Sequence, residues 1–220
     1  MKSISTASAL IIYLLCAVPA ITAQEAESPQ TDVSEEEAAA VRPGEVQDII
    51  TASDYFDSVS ERYAEIEDYE AEVTITYPDT DPDTVMRGTL AHKRPDMLLI
   101  EYDDPEDMVI SVDGVHLQIY IPYLNVVMDQ TLRPHENGAA PTLATGEGLA
   151  LMKERYSVAY LDSQDYVPLE EGSDERVRKL KLEWRTIEEG FREIILSIDR
   201  QRLIRRIEAV TAGLDELTID

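Results

Sequence analysis

The residues best able to do chemistry are few and scattered. His92, His116 and His135 are the three histidines, and none stands in an HExxH, GxSxG or phosphate-loop context. His92 and His116 fall in strand-like runs and His135 in a loop-like stretch, the ordinary setting of surface or half-buried histidines. The run Glu101-Tyr102-Asp103-Asp104-Pro105-Glu106-Asp107 offers oxygen ligands of the kind calcium takes. It lacks the spaced DxDxDG loop, so a solvated turn is the expected reading. Glu101 and Asp103 suggest paired carboxylates, but nothing fixes a second acid across a cleft. The sequence therefore points away from an enzyme and calls for neither a metal nor another cofactor.

The sole cysteine, Cys16, sits inside Ala9–Val18, an apolar stretch too short to span a bilayer comfortably. Lys2 precedes it, and Ile21-Thr22-Ala23 follows as an acceptable small-residue cleavage site, so residues 1–23 read as a secretory signal peptide. Leu15 fits poorly just before a lipidated cysteine, which favours loss of Cys16 with the signal. An acylated Cys16 would instead tether the protein to a membrane. Residues 24–44 are acidic and contain no aromatic residue, and read as a disordered linker that cannot bury enough apolar area to offset its ordering. Residues 45–220 are one domain's worth of chain. The formal net charge of −26 argues against nucleic acid, whose phosphates require Lys and Arg, and against an anionic membrane surface. Self-repulsion of that size favours a monomer.

The elements that must position any site are legible from period. Val46, Ile49, Ile50, Ser53, Phe56, Val59, Tyr63 and Ile66 recur at three- and four-residue steps, which predicts an amphipathic helix. From Tyr69 to Tyr77 the period becomes two, and the run stops at Pro78. Further strands are predicted at 85–93, 97–102, 108–112, 115–121 and 125–130, then 156–161, 177–184, 191–199 and 203–210. Asp113-Gly114 predicts a type I′ hairpin, which needs positive φ at both central residues. A short helix is expected within 140–155 despite Gly146 and Gly148. Many adjacent strands with few helices give an α+β domain on an antiparallel sheet.

Two segments carry a resemblance. Gly88-Thr89-Leu90-Ala91-His92-Lys93-Arg94-Pro95-Asp96-Met97-Leu98-Leu99-Ile100-Glu101-Tyr102-Asp103-Asp104-Pro105 is similar to the signature of the LolA-like lipoprotein carriers: G-x-hydrophobic, a basic pair and proline, then an apolar strand ending in an aromatic and x-x-P. Val109–Pro122 resembles the same family's S-D-G-containing segment, and Asn125-Val126-Val127 its following strand. The specific agreement covers about 50 residues. The resemblance implies a curved antiparallel sheet forming an incomplete β-barrel around a hydrophobic cavity, closed by a helical lid. It implies a periplasmic carrier that takes acylated lipoproteins from an inner-membrane lipoprotein-releasing transporter to an outer-membrane acceptor. A lipoprotein-sensing regulator on the same half-barrel, or the tethered acceptor, remains open.

By the same resemblance Arg94 is the lid-closing arginine. Leu98 and Ile100 stand where the family has aromatics, which leaves cavity shape and transporter contact open. Met97, Leu98, Leu99, Ile100, Val109, Leu117, Ile119, Val127, Leu182 and Trp184 are the candidates to line a cavity or to form a plain core. Alternation alone fixes only which of them share a face. The family's usual C-terminal strand and N…F-x-F-x-x-P-x-G tail are not matched, which suggests an incomplete chain, a divergent member or a carrier with altered directionality. Glu216–Ile219 is then expected to be an edge strand lacking its neighbour.

Overall fold

The computed structural model describes residues 50–78, 84–95, 97–131, 145–185 and 190–220. The expected signal and linker, Cys16, Val46, Ile49 and His135 lie outside them. Thr51 starts the first helix: its backbone is extended and its Oγ1 accepts a hydrogen bond from Asp54 N at 3.1 Å. Helix α1 then spans Ala52–Glu65 and buries Phe56 and Val59 of the stripe read from the sequence, together with Tyr55, which that stripe did not include; Ile50, expected in the helix, precedes its cap and is exposed. At Ile66 the backbone returns to extended geometry and the period of two begins.

A meander of six strands follows, β1 (Asp68–Tyr77), β2 (Thr84–Lys93), β3 (Met97–Asp104), β4 (Val109–Asp113), β5 (His116–Ile121) and β6 (Val126–Thr131). Helix α2 (Gly146–Arg155) is capped by Thr145, whose Oγ1 accepts from Gly148 N at 2.9 Å. It leads into β7 (Tyr156–Tyr160), β8 (Val167–Pro168), β9 (Arg176–Trp184), β10 (Phe191–Ile198), β11 (Ile204–Thr211) and β12 (Glu216–Ile219). These twelve described strands form one sheet in the order β6-β5-β4-β3-β2-β1-β12-β11-β10-β9-β7, with β8 beside β9. All described pairings are antiparallel, and the curved sheet stays open between β6 and β7. This is an α+β incomplete barrel with a helical lid.

Two expectations are corrected. The Asp113-Gly114 turn is not type I′, since of the two residues only Gly114 has positive φ, at 87°. The Asp113 carboxylate instead accepts from Val115 N and His116 N at 2.9 and 2.7 Å, which closes a longer loop and holds its own pKa down. Nor is β12 an edge strand. It pairs with β11 on one side and with β1 on the other, so it is the seam joining the two halves of the sheet. Strand β8, two residues long and including Pro168, was below the reach of any period.

Period two divides the sheet into two faces. Leu180, Leu196, Ile207, Ile219, Ile75 and Met86 lie side by side in one cross-strand row running from β9 to β2. A second row, Leu90-Ile100-Ile110-Ile119-Met128, continues that face to β6. Most of these residues share one buried cluster with Phe56 and Val59 of α1 and Leu149 and Met152 of α2, so this face is the inner one. Gly88, on the inner face of β2, follows a register shift. A Cβ there would lie 2.2 Å from the Glu101 carbonyl oxygen, so the motif's glycine is required by backbone contact with β3.

The outer face differs between the halves. Across β9–β12 it carries ion pairs: Lys181 meets Glu183 and Glu193 at 3.0 Å each, and Arg206 binds both Glu170 and Asp220. Across β3–β6 it carries Val109, Tyr120 and Val127 in one row, with Leu99 beside them.

Candidate functional site

The two helices lie together across the inner face. Gly146 lets them touch: a Cβ there would meet Ser60 O and the Ala64 side chain at under 3 Å. Ser60 Oγ donates to Gly146 O at 2.7 Å, and Lys153 Nζ reaches the Asp57 carboxylate at 2.5 Å. The two helices therefore form one packed cover.

Four polar contacts fasten α1 to the sheet. Arg94, just after β2, donates from Nη1 to Ala64 O at 2.9 Å, and Glu67 O accepts from Arg94 N at 2.9 Å. Ala64 is in the last turn of α1, where carbonyls lack helical partners and a cation suits the helix dipole. Tyr63 Oη accepts from Ile204 N at 3.1 Å. At the other end, Tyr160 Oη donates to Ile50 O at 2.8 Å. Beside it the Arg178 guanidinium lies 4.5 Å from the Tyr55 ring centre and 4.6 Å from that of Tyr166. Such cation–π stacking contributes about 0.5–2 kcal/mol per contact, more as water is excluded. Burial pushes the Tyr55 phenol well above its usual pKa, so it stays neutral here.

The aromatic clamp is what sequence reasoning missed. Its signal was available: Arg178 occupies the inward parity of β9, ahead of Leu180, Leu182 and Trp184. A charged residue on a buried face needs a partner, and the Tyr55, Tyr160 and Tyr166 rings supply it.

The ten cavity candidates fall on both faces. Leu98, Ile100, Leu117, Ile119, Leu182 and Trp184 point inward, Trp184 partly buried and the others buried. Met97, Leu99, Val109 and Val127 occupy the alternate positions and face outward, with Val127 61% exposed. The correction has a simple cause: neighbours along a strand project to opposite sides, so Met97 and Leu98 cannot line one surface.

His92 is buried on β2 and lies 5.2 Å from the Tyr69 ring. His116 Nδ1 meets Asp129 Oδ1 at 3.0 Å on the outer face. The acids of 101–107 project outward or into the exposed β3–β4 turn. Among the described residues no cluster of three or more His, Cys, Asp or Glu side chains is placed to hold a metal ion. The inner face is one apolar cluster under a cover fastened by a few polar bonds.

No family model matches this sequence, and no curated protein does. Solved structures show similar courses. A LolA superfamily protein from Nitrosomonas europaea has 16% identity and a TM-score of 0.38, covering 76% of this chain and 74% of that one. The Pseudomonas aeruginosa MucA/MucB complex gives 11% identity and a TM-score of 0.49, covering 77% and 54%. An uncharacterized conserved protein from Thermus thermophilus gives 11% and 0.48, covering 77% and 83%. The chain's own open curved sheet, with two helices across its inner face, is an incomplete barrel under a helical lid. In it the Arg94 guanidinium stands against the Ala64 carbonyl of α1.

Proposed function

We propose that this protein is a periplasmic carrier, and not an enzyme, that binds the acyl chains of lipoproteins released from the inner membrane and delivers them to the outer membrane. One observation carries the reading: a single apolar inner face crosses all the main strands and is covered by helices fastened through a handful of polar contacts. Each buried CH₂ of an acyl chain gains about 0.8 kcal/mol, so a 16-carbon chain gains on the order of 12 kcal/mol from such a face. Single hydrogen bonds at about 0.5–1.5 kcal/mol make a cover whose opening cost is small and adjustable. The partners on this reading are acylated lipoproteins, the releasing transporter and the outer-membrane acceptor.

Native mass spectrometry of the protein recovered from its own periplasm tests the proposal. A bound diacyl or triacyl species is the expected result. A ligand-free mass, together with no uptake of added lipoprotein by folded protein, would overturn it. The same reading gives Arg94 the role of lid latch. Arg94→Leu should leave the fold intact and speed lipid release about fivefold, the effect of losing roughly 1 kcal/mol of closure. Unchanged transfer kinetics in that variant would remove the latch role.

A second reading, a lipoprotein-sensing regulator on the same half-barrel, is favoured by the outward Tyr120 and Val127 and by the exposed Tyr123 and Leu124 at the β5–β6 turn. Apolar groups gathered at a sheet edge suit a protein partner. Stoichiometric partner binding without transfer between membranes would select it.

A further inference from the structure

Tyr102 presents a polar atom that the fold itself does not use. It points inward from β3 in the row Val73-Gly88-Tyr102 and is 4% exposed. Its Oη is buried and has no hydrogen-bond partner among the described residues. A buried unpaired hydroxyl is costly, and phenylalanine would fill the same space without that cost. Its near neighbours on that face include the apolar or aromatic Val73, Ile75, Tyr77 and Met86, while the buried His92 stands further along β2 on the same side. Burial, with the Tyr77 phenol nearby, raises the Tyr102 pKa, so the group is a neutral O–H donor throughout the physiological range.

We propose that Tyr102 is the polar anchor of the lipid site: its hydroxyl donates a hydrogen bond to the ester carbonyl of a bound O-acyl chain. This rests on the acyl-binding reading above and names the ligand class within it. A carbonyl is the polar group that an acyl chain brings into an apolar site, and it only accepts, which matches a phenol that donates. The bond fixes how deep the chain sits, with its carbonyl at β3 and its methylenes along the inner rows. An ether-linked chain of equal length offers a weaker acceptor in a different place. The site therefore discriminates linkage as well as length, by the rule that a pocket with a buried polar group rejects a ligand that leaves it unpaired.

The experiment uses the full chain, wild type and Tyr102→Phe, titrated with dipalmitoylglycerol and with its dihexadecyl ether counterpart. Wild type should bind the ester about tenfold more tightly than the ether. In Tyr102→Phe the ester affinity should fall about tenfold, leaving the ether affinity unchanged and the preference abolished. The ligand-free variant should also melt about 2–4 °C above wild type, because the fold sheds an unsatisfied hydroxyl. An ester preference that survives the substitution overturns the proposal. So does a lower melting temperature, since the hydroxyl would then be satisfied within the fold or by a bound water. Wild type that binds neither lipid overturns the acyl-binding reading itself, and this inference with it.

Discussion

Phe56→Ala should lower the unfolding free energy by about 3–5 kcal/mol, read as a shift in denaturant midpoint at unchanged slope. Phe56 is fully buried at the centre of α1, with Tyr55 before it and Val59 one turn on. The substitution removes a large side chain between the lid and the inner face, where neighbouring strands cannot collapse to refill the space. The helix itself gains slightly in propensity, since alanine is the better helix former, so the loss belongs to packing. A second readout separates lid from core. Hydrogen exchange in 52–65 should rise more than in β10, because α1 loses its main contact while Leu196 and Ile198 keep theirs. A variant as stable as wild type would mean that the helix is not seated on the sheet as described.

Leu217→Asp is expected to cost at least as much. Leu217 is 3% exposed on β12, opposite Ala209, and faces the same cluster as Ile194 and Leu182. A carboxylate there has no cation on the inner face beside it among those neighbours, and an uncompensated buried charge costs about 3–5 kcal/mol. Its folded-state pKa would be raised by desolvation above the unfolded value. The variant should therefore regain stability as pH falls through the raised folded-state value, because the folded form then binds a proton that the unfolded form holds less tightly. Melting curves of the variant between pH 7 and pH 4 read this directly. A flat profile would show that the side chain escapes to solvent.

Most of the strands were legible because a half-buried sheet imposes its period on the sequence. The runs at 69–77, 85–93 and 177–184 each match an observed strand to within a residue or so. The fold class followed from their number and order. The faces were harder. Met97-Leu98-Leu99-Ile100 is apolar at every position, because β3 buries one side under the lid and leaves Met97 and Leu99 exposed on the other. Within those four positions alternation had nothing to report, and the outward parity is marked only from Glu101, next along β3. Tertiary pairing was hidden for another reason: nothing local in Glu216–Ile219 says that both its edges are used. Arg94 was found through a motif, whereas Arg178 required asking why a charge stands on an apolar parity. Tyr102 was visible only as the aromatic that ends a strand. Its unused hydroxyl is a property of the packed interior.

The position of β12 also bears on the order in which the molecule can assemble. Strands β1 to β6 each pair with their neighbour in sequence, and that half can zip together from short-range contacts. The seam cannot. Ile75 pairs with Ile219, and Thr74 exchanges both backbone hydrogen bonds with Asp220, across most of the described chain. Closing so long a loop comes late, so β1 waits with one bare edge while the second half is made. Pulse-labelling during refolding should protect Ile110 and Ile119 before Thr74, whose amide bonds across the seam to Asp220; simultaneous protection would argue for one concerted collapse. During synthesis the chain passes through an interval in which its first half is folded, acidic and open along β1, and that interval is when it most needs protection from other chains.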